Sequence, residues 1–335
     1  MDDAIVIIYR NVCCEGGTRT EAPWVAVAIA IAGAIPERLQ QALAQWRQWD
    51  CPVPLKKAPD IVGPIGRGRS NASFLVAAGQ QFVVRIDGIQ PWAHGINRQA
   101  EWRVLGLAHQ RGIAPRPCYF NPELGALVCA YLAPDEPAPD SAEATAMLLR
   151  RIHTLPRMHQ RLHLGERLQR YQRGLDNDRG ERSARLARLA PAIHRLLEVI
   201  AGDASAPVLC HNDLLRANRL YSGGKLYAID WEYAAMASPL YDLAVVMHAD
   251  EFDEPDAQRL ARCYLGRAPG TDEAALLLSY GCLYRYLELL WYRAMQEPAS
   301  RAHSGGAGDT APPEESRHLD TRLAALEALL ANALP

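Results

Sequence analysis

The chain predicts an α+β fold in two lobes, a small antiparallel-sheet lobe ahead of a larger, mainly helical one, and three observations carry that expectation. From about residue 56 to residue 132, short apolar runs alternate with turns bearing Gly, Asn and Pro. The segment Ala133-Pro-Asp-Glu-Pro-Ala-Pro139 then breaks both strand and helix periods and reads as a hinge. Beyond it, stretches rich in Leu, Arg and Ala place apolar residues three and four apart, which is helical spacing. The expected division is residues 1–50 as an extension of unassigned role, 51–133 as the sheet lobe and 134–335 as the helical lobe. A chain of 335 residues is long enough to bury a core in each lobe.

In chain order, Pro36 to Trp46 reads as an amphipathic helix with proline in its first turn. Ile61-Val-Gly-Pro-Ile-Gly-Arg-Gly68, continued by Arg69-Ser-Asn71, reads as a flexible polar loop. Strands are expected over Ala72–Ala77 and Gln81–Ile86, around the turn Ala78-Gly-Gln80. Asn97 opens a helix that runs to about Gln110, and Pro117–Phe120 pairs with Ala126–Leu132 across the turn at 121–125. In the second lobe, helices are expected over Ser141–Thr154, 163–175, 180–201, Pro255–Leu265, Asp272–Met295 and Leu319–Leu334. Glu297 to Glu315, rich in Gly, Ala, Pro and Ser, predicts a mobile loop. No repeat of 20–50 residues is apparent.

Composition excludes several classes. A net charge of −2 argues against a nucleic-acid binder, whose surface is strongly basic. The apolar stretch Trp24–Ile35 is about twelve residues, short of the roughly twenty that span a bilayer, and it lacks a signal peptide's basic flank. Eight cysteines, at 13, 14, 51, 118, 129, 210, 263 and 282, form no CxxC pair and no zinc spacing. They suit a reducing cytoplasm, and the adjacent Cys13 and Cys14 read as unpaired thiols.

The chemistry concentrates in Val208–Val246. A His-Asn-Asp turn ends at Asp213, Asn218 follows five residues later, and Asp230 comes twelve residues after that. Transfer of a γ-phosphoryl group to a hydroxyl needs a carboxylate that accepts or orients the hydroxyl proton, and an oxygen-rich clamp for magnesium. Asp213 supplies the first, and Asn218 with Asp230 the second. Pro207–Cys210 reads as a strand leading into the turn and Lys225–Ile229 as one ending at Asp230. Ser222-Gly-Gly224, between the apolar runs Arg219–Tyr221 and Lys225–Tyr227, reads as a hairpin turn that holds the loop of Asp213 and Asn218 beside Asp230.

Leu209-Cys-His-Asn-Asp-Leu-Leu215 with Asn218, then Ile229-Asp-Trp-Glu-Tyr-Ala234 and Pro239-Leu-Tyr-Asp-Leu-Ala244, resembles the choline/ethanolamine kinase family, with thiamine kinases and aminoglycoside phosphotransferases as more distant relatives. The resemblance covers about residues 60–295 and implies a protein-kinase-like fold that uses ATP and Mg2+. It makes Asp213 the catalytic base and gives magnesium to Asn218 and Asp230. His211 and Asp242 become braces of the catalytic loop. A kinase also needs a glycine-rich cover over the phosphates, a cation on the next strand and an acid on a helix that orients it. Gly66, Gly68, Ser70 and Asn71 are candidates for the cover, Arg85 for the cation and Glu101 for its partner. Arginine in place of a protein kinase's lysine points away from protein substrates while keeping a planar fork for phosphate oxygens.

The implied substrate is a small alcohol with an amine or cationic head, choline or ethanolamine within this resemblance, with thiamine or an aminoglycoside or sugar as the alternative. Tyr280, Tyr284, Leu287 and Trp291 fall on one helical stripe, which fits either a core face or an aromatic cage. The resemblance selects Tyr284 and Trp291, and Glu232, just after the magnesium aspartate, is placed to face the substrate. Arg216 fits a phosphate contact or a solvent-facing position. A catalytically silent binding module on the same fold is the reading of another class. Its mark, a missing base or metal ligand, is not found.

Overall fold

In the computed structural model the described residues are 34–65, 70–136, 141–173, 175, 180–301 and 313–333, and they fall into two compact units. The first comprises Met1–Pro139 and Ala217–Tyr233, the second Asp140–Arg216 and Ala234–Pro335.

The first unit is built on an antiparallel sheet of β1 (Asp60–Pro64), β2 (Asn71–Ala77), β3 (Gln81–Asp87), β4 (Pro117–Asn121) and β5 (Ala126–Ala130), ordered β1-β2-β3-β5-β4. Side chains alternate across it, as strand geometry requires. Phe82, Val84, Ile86 and Val128 point to one face and pack with Leu39, Ala42 and Leu43 of helix α1 (Ala34–Ala44) and with Trp49. Each such buried side chain contributes about 1.5–3 kcal/mol. Part of the first fifty residues is thus built into this unit. The register sets Arg85 opposite Ser73 and Leu127, and Val83 opposite Cys129, on the other face. Helix α2 (Arg98–Gln110) starts where the Asn97 side chain accepts the N–H groups of Gln99 and Ala100.

The chain then leaves for the second unit and comes back. Residues 217–233 carry the hairpin β7 (Arg219–Ser222) and β8 (Lys225–Ala228), whose turn uses Gly223 and Gly224 at φ 58° and 72°. The Asp135 carboxylate accepts both glycine N–H groups, at 2.9 and 2.7 Å, and the Ala228 N–H donates to the Ile113 carbonyl at 2.8 Å. These bonds fasten the hairpin to the sheet unit, where a single cut at the hinge would have left it with the helices.

The second unit contains α3 (Ala142–Ile152), α4 (Leu164–Gln172), α5 (Glu181–Ala201), α6 (Pro239–Ala249), α7 (Glu254–Leu265), α8 (Thr271–Arg301) and α9 (Pro313–Ala333). Its main core joins Leu168, Leu186, Ile193, Leu283, Tyr286, Leu290, Leu323 and Leu326 from α4, α5, α8 and α9. Where α6 meets α8, Gly281 leaves room for a ring: a Cβ there would lie 1.9 Å from His248 Nε2. The short strands β6 (Val208–Cys210) and β9 (Ala235–Ala237) pair antiparallel and present the turn that follows Cys210.

Three elements differ from the sequence expectation. Residues 60–64 are an edge strand rather than the start of a flexible loop: Ile61 and Val62 favour extended backbone, and Gly63 and Pro64 are tolerated at an irregular sheet edge. Pro239–Ala249 is a helix, with Ser238 as its N-cap and proline at its first position. Helix α8 continues to Arg301 and α9 begins at Pro313, so both enter the span expected to be a mobile loop. Residues 302–312, like Cys13, Cys14 and most of Trp24–Ile35, lie outside the described residues. No helix among the described residues is long and apolar enough to cross a membrane.

Candidate active site

The first unit concentrates buried charge around two arginines. Arg85 of β3 grips Glu101 of α2 with both ends of its fork, Nη1 to Oε1 at 2.6 Å and Nη2 to Oε2 at 2.7 Å. Its Nη1 also donates to Asp230 Oδ1 at 3.0 Å, while its buried Nε has no hydrogen-bond partner. Arg98, which sequence reasoning missed, forms the second hub. It reaches Glu101 at 2.8 Å, Glu232 at 2.9 Å, Asp87 at 2.7 Å and the Asn71 side-chain carbonyl at 3.1 Å. The signals that could have exposed it are its spacing three residues before Glu101 and the place of Asp87 on the same strand face as Arg85.

Two guanidinium groups thus face four carboxyl groups, so acids outnumber cations inside the fold. Burial alone would push the Glu101 carboxyl up, but Arg85 and Arg98 hold it below the usual range. Asp230 shows the opposite balance. Burial, reinforced by Glu232, outweighs Arg85 and raises its carboxyl to about 7. Such a carboxylate is short of positive charge. Asp230 has φ 60°, a left-handed backbone conformation that costs a residue with a side chain about a kilocalorie or more and gathers at functional sites. Asn218 lies beside it, its carbonyl accepting the Ile229 N–H at 2.9 Å.

The same unit has a partly open cleft with a cavity volume of about 90 Å³. Ile65, Val83, Leu105, Leu127, Leu132 and Leu220 give it apolar walls, and Arg85, Glu101 and Asp230 close one end. A slot that is apolar along its length and charged at its end fits a flat base linked to an anionic tail.

The predicted residues fall unevenly about this site. Arg85, Glu101, Asn71, Asp230 and Glu232 are brought together, and Ser70 joins through a 3.2 Å bond from Asn71. Gly66 and Gly68 lie outside the described residues. Glu232, expected to face the substrate, has its Oε2 occupied by Arg98 and by the Asn71 amide at 3.0 Å, and the residue is 6% exposed.

Asp213 belongs to the second unit, where the turn holding it is fixed from behind. Buried Asp242 accepts the backbone N–H of His211 at 2.9 Å and of Asn212 at 2.7 Å. His153 adds a contact from Nε2 at 3.0 Å, and its Nδ1 meets the Tyr264 hydroxyl at 2.7 Å. Burial would raise the Asp242 carboxyl, but His153, His211 and these backbone donors hold it below its usual range. Asn212 takes φ 63°, the second left-handed residue in the motif. The backbone just ahead of Asp213 is therefore held at two successive N–H groups.

Two tyrosine hydroxyls feel that aspartate. Burial raises Tyr241 to about 12, and Asp213 adds to the rise. Tyr284 is pushed well above its ordinary value by burial, then by Glu288 and Asp213. One helical turn beyond Tyr284, Glu288 has one carboxylate oxygen on Arg322, and its other oxygen is buried with no hydrogen-bond partner. Burial raises this carboxyl against the pull of Arg322. Trp291 packs against the core and meets Tyr292 edge-on at 5.2 Å. Tyr280 is committed to structure, its hydroxyl donating to Asp203 at 2.8 Å.

Comparison with known proteins gives a consistent result. The profile of the phosphotransferase enzyme family matches residues 61–277. Protein LicA of Haemophilus influenzae is 27% identical over 123 residues, covering 36% of this chain and 44% of LicA. The chain therefore spans less than half the length of the curated relatives it matches. The solved structure of choline kinase LicA from Streptococcus pneumoniae superposes with a TM-score of 0.66 at 21% identity, over 88% of this chain and 98% of that one. A choline/ethanolamine kinase family protein from Mesorhizobium loti gives 0.64 at 22% identity, over 88% and 95%. At these identities the likeness is one of fold.

Proposed function

This chain belongs to the phosphotransferase enzyme family, and from that premise we propose that it moves the γ-phosphoryl group of ATP, with Mg2+, onto the hydroxyl of a small amine-bearing alcohol such as choline or ethanolamine. The observation that carries the reading is the Arg85 fork, fixed by Glu101 and touching Asp230 at the charged end of an apolar slot. The apolar walls suit the adenine base. The unpartnered Arg85 Nε suits a phosphate oxygen, since a guanidinium binds such oxygens along its edges.

The donor set fits magnesium as well. Asn218 and Asp230 supply hard oxygen ligands, and the surplus of acids over cations around Asp230 is one a divalent cation would neutralise. When bound, the ion supplies charge neutralisation at the phosphate oxygens. Asp213 orients the acceptor hydroxyl and takes its proton as the new P–O bond forms, and ADP leaves. Asp242 keeps Asp213 aimed by fixing the two backbone N–H groups before it. For the amine head, Tyr284 offers a ring near Asp213, and the open oxygen of Glu288 offers a negative charge in a buried setting. Glu288 replaces Glu232 in this role because the Glu232 Oε2 is already bound by Arg98 and Asn71.

The test is ADP release from MgATP over a panel of choline, ethanolamine, thiamine and an aminoglycoside. Turnover with choline or ethanolamine at the highest kcat/KM is the expected result. Preference for an aminoglycoside overturns the acceptor, and no turnover with any acceptor, together with no MgATP binding, overturns the kinase reading.

A further inference from the structure

Arg98 is saturated where Arg85 is not. Its five N–H groups meet five contacts: Nε and Nη2 grip the two Asp87 carboxylate oxygens at 3.2 and 2.7 Å, Nη2 also reaches the Asn71 side-chain carbonyl at 3.1 Å, and Nη1 spans Glu101 Oε2 at 2.8 Å and Glu232 Oε2 at 2.9 Å. No donor is left for a phosphate oxygen, and the side chain is 8% exposed. Arg85, by contrast, keeps a buried Nε without a partner. Arg85 can hold a ligand, whereas Arg98 holds only protein.

The saturated fork has a fixed end and a steering end. Asp87 takes the fixed end and is itself tied down at the close of β3: its N–H donates to the Gly125 carbonyl at 2.9 Å, and its own carbonyl accepts Arg38 of α1 at 2.7 Å. The steering end, Nη1, meets two carboxylates that lie one step from the groups suited to phosphate and metal. Glu101 Oε2 also accepts Arg85 Nη2 at 2.7 Å, so the plane of the Arg85 fork depends on where Arg98 holds Glu101. Glu232 stands two residues after Asp230, and the Asn71 amide closes a ring by donating to the same Glu232 oxygen at 3.0 Å.

We infer that Arg98 is a positioning residue for the phosphate end of MgATP: it sets the Arg85 fork through Glu101 and the turn that follows Asp230 through Glu232, and it touches neither nucleotide nor metal. The inference rests on the proposed kinase reading. A lysine does not replace Arg98, because an ammonium has no planar fork and only three donors to offer. The cluster lies at the charged end of the cleft, so loosening it weakens the phosphate contacts and spares those of the base.

The experiment titrates full-length wild type, Arg98→Lys and Asp87→Asn with MgATP and with adenosine by calorimetry, with Tm measured alongside. Arg98→Lys is expected to raise the MgATP Kd roughly tenfold and to leave the adenosine Kd within about twofold of wild type. Asp87→Asn loosens only the fixed end and is expected to raise the MgATP Kd about threefold, which keeps the inference testable should the lysine variant not fold. In an Arg85→Gln background Arg98→Lys is expected to cost under about threefold, because the fork it acts through is no longer there. Equal weakening of MgATP and adenosine, an unchanged MgATP Kd, or the whole loss retained in the Arg85→Gln background each overturns the inference and leaves the kinase reading in place. Wild type that binds no MgATP overturns both.

Discussion

The two units solve the problem of buried charge in opposite ways. The first packs Arg85 and Arg98 against Asp87, Glu101, Asp230 and Glu232 and remains short of positive charge. The second buries Asp242 against His153 and two backbone N–H groups, and the group is satisfied there. On the proposed reading, one device is completed by what it binds, whereas the other aims Asp213. An incomplete charged cluster marks where a ligand belongs, and a complete one marks what must not move.

The contrast breaks most sharply at Asp213. Asp213→Asn is expected to lower kcat by roughly 10²–10⁴ with ATP affinity little changed, measured by steady-state kinetics and nucleotide titration. Full turnover in that variant sinks the assignment. Next, Arg98→Ala strands several carboxylates without their cation and is expected to cost about 3–5 kcal/mol in chemical unfolding. A loss under 1 kcal/mol would mean that the cluster is not held as described.

The third expectation concerns acid. Because the Asp242 carboxyl is depressed in the folded state, its contribution is fully present above the unfolded carboxylate value of about 4 and is lost as pH falls further, toward its folded value. Wild type should therefore exceed Asp242→Asn in Tm at neutral pH, with the gap closing only below about pH 4. A gap that closes near pH 6 would contradict the depressed value. The smallest effect is at Glu288: Glu288→Gln is expected to raise KM for the amine acceptor roughly tenfold while leaving that for ATP alone. An equal change in both would remove Glu288 from acceptor binding.

Much of this was legible because strands and caps are local. The alternation in Ala72–Ile86 places Arg85 on the cleft face, Asn97 caps α2, and Gly223-Gly224 folds the hairpin that brings Asp230 to the first unit. The pairing of Arg85 with Glu101 was expected from what a kinase requires upstream of its catalytic loop rather than from spacing. What escaped depends on contacts far apart in the chain. Glu232 turns into the Arg98 cluster two residues after the left-handed Asp230, and nothing in Ile229-Asp-Trp-Glu announces that conformation. The return of residues 217–233 rests on bonds to Asp135 and Ile113, roughly a hundred residues earlier, and no period or propensity encodes them. Tyr284 and Trp291 shared one stripe in sequence, yet Tyr284 is within electrostatic reach of Asp213 while Trp291 packs against the helical core and Tyr292.

Gly281 lends the second unit a lock-and-key dependence between two helices. With His248 filling the space a methyl group would need, burial and neighbouring Arg285 keep that imidazole neutral down to about pH 4, so its ring behaves as a shaped filler across the physiological range. Any descendant sequence that enlarges position 281 must shrink position 248 in the same step. The two sites should drift together or not at all.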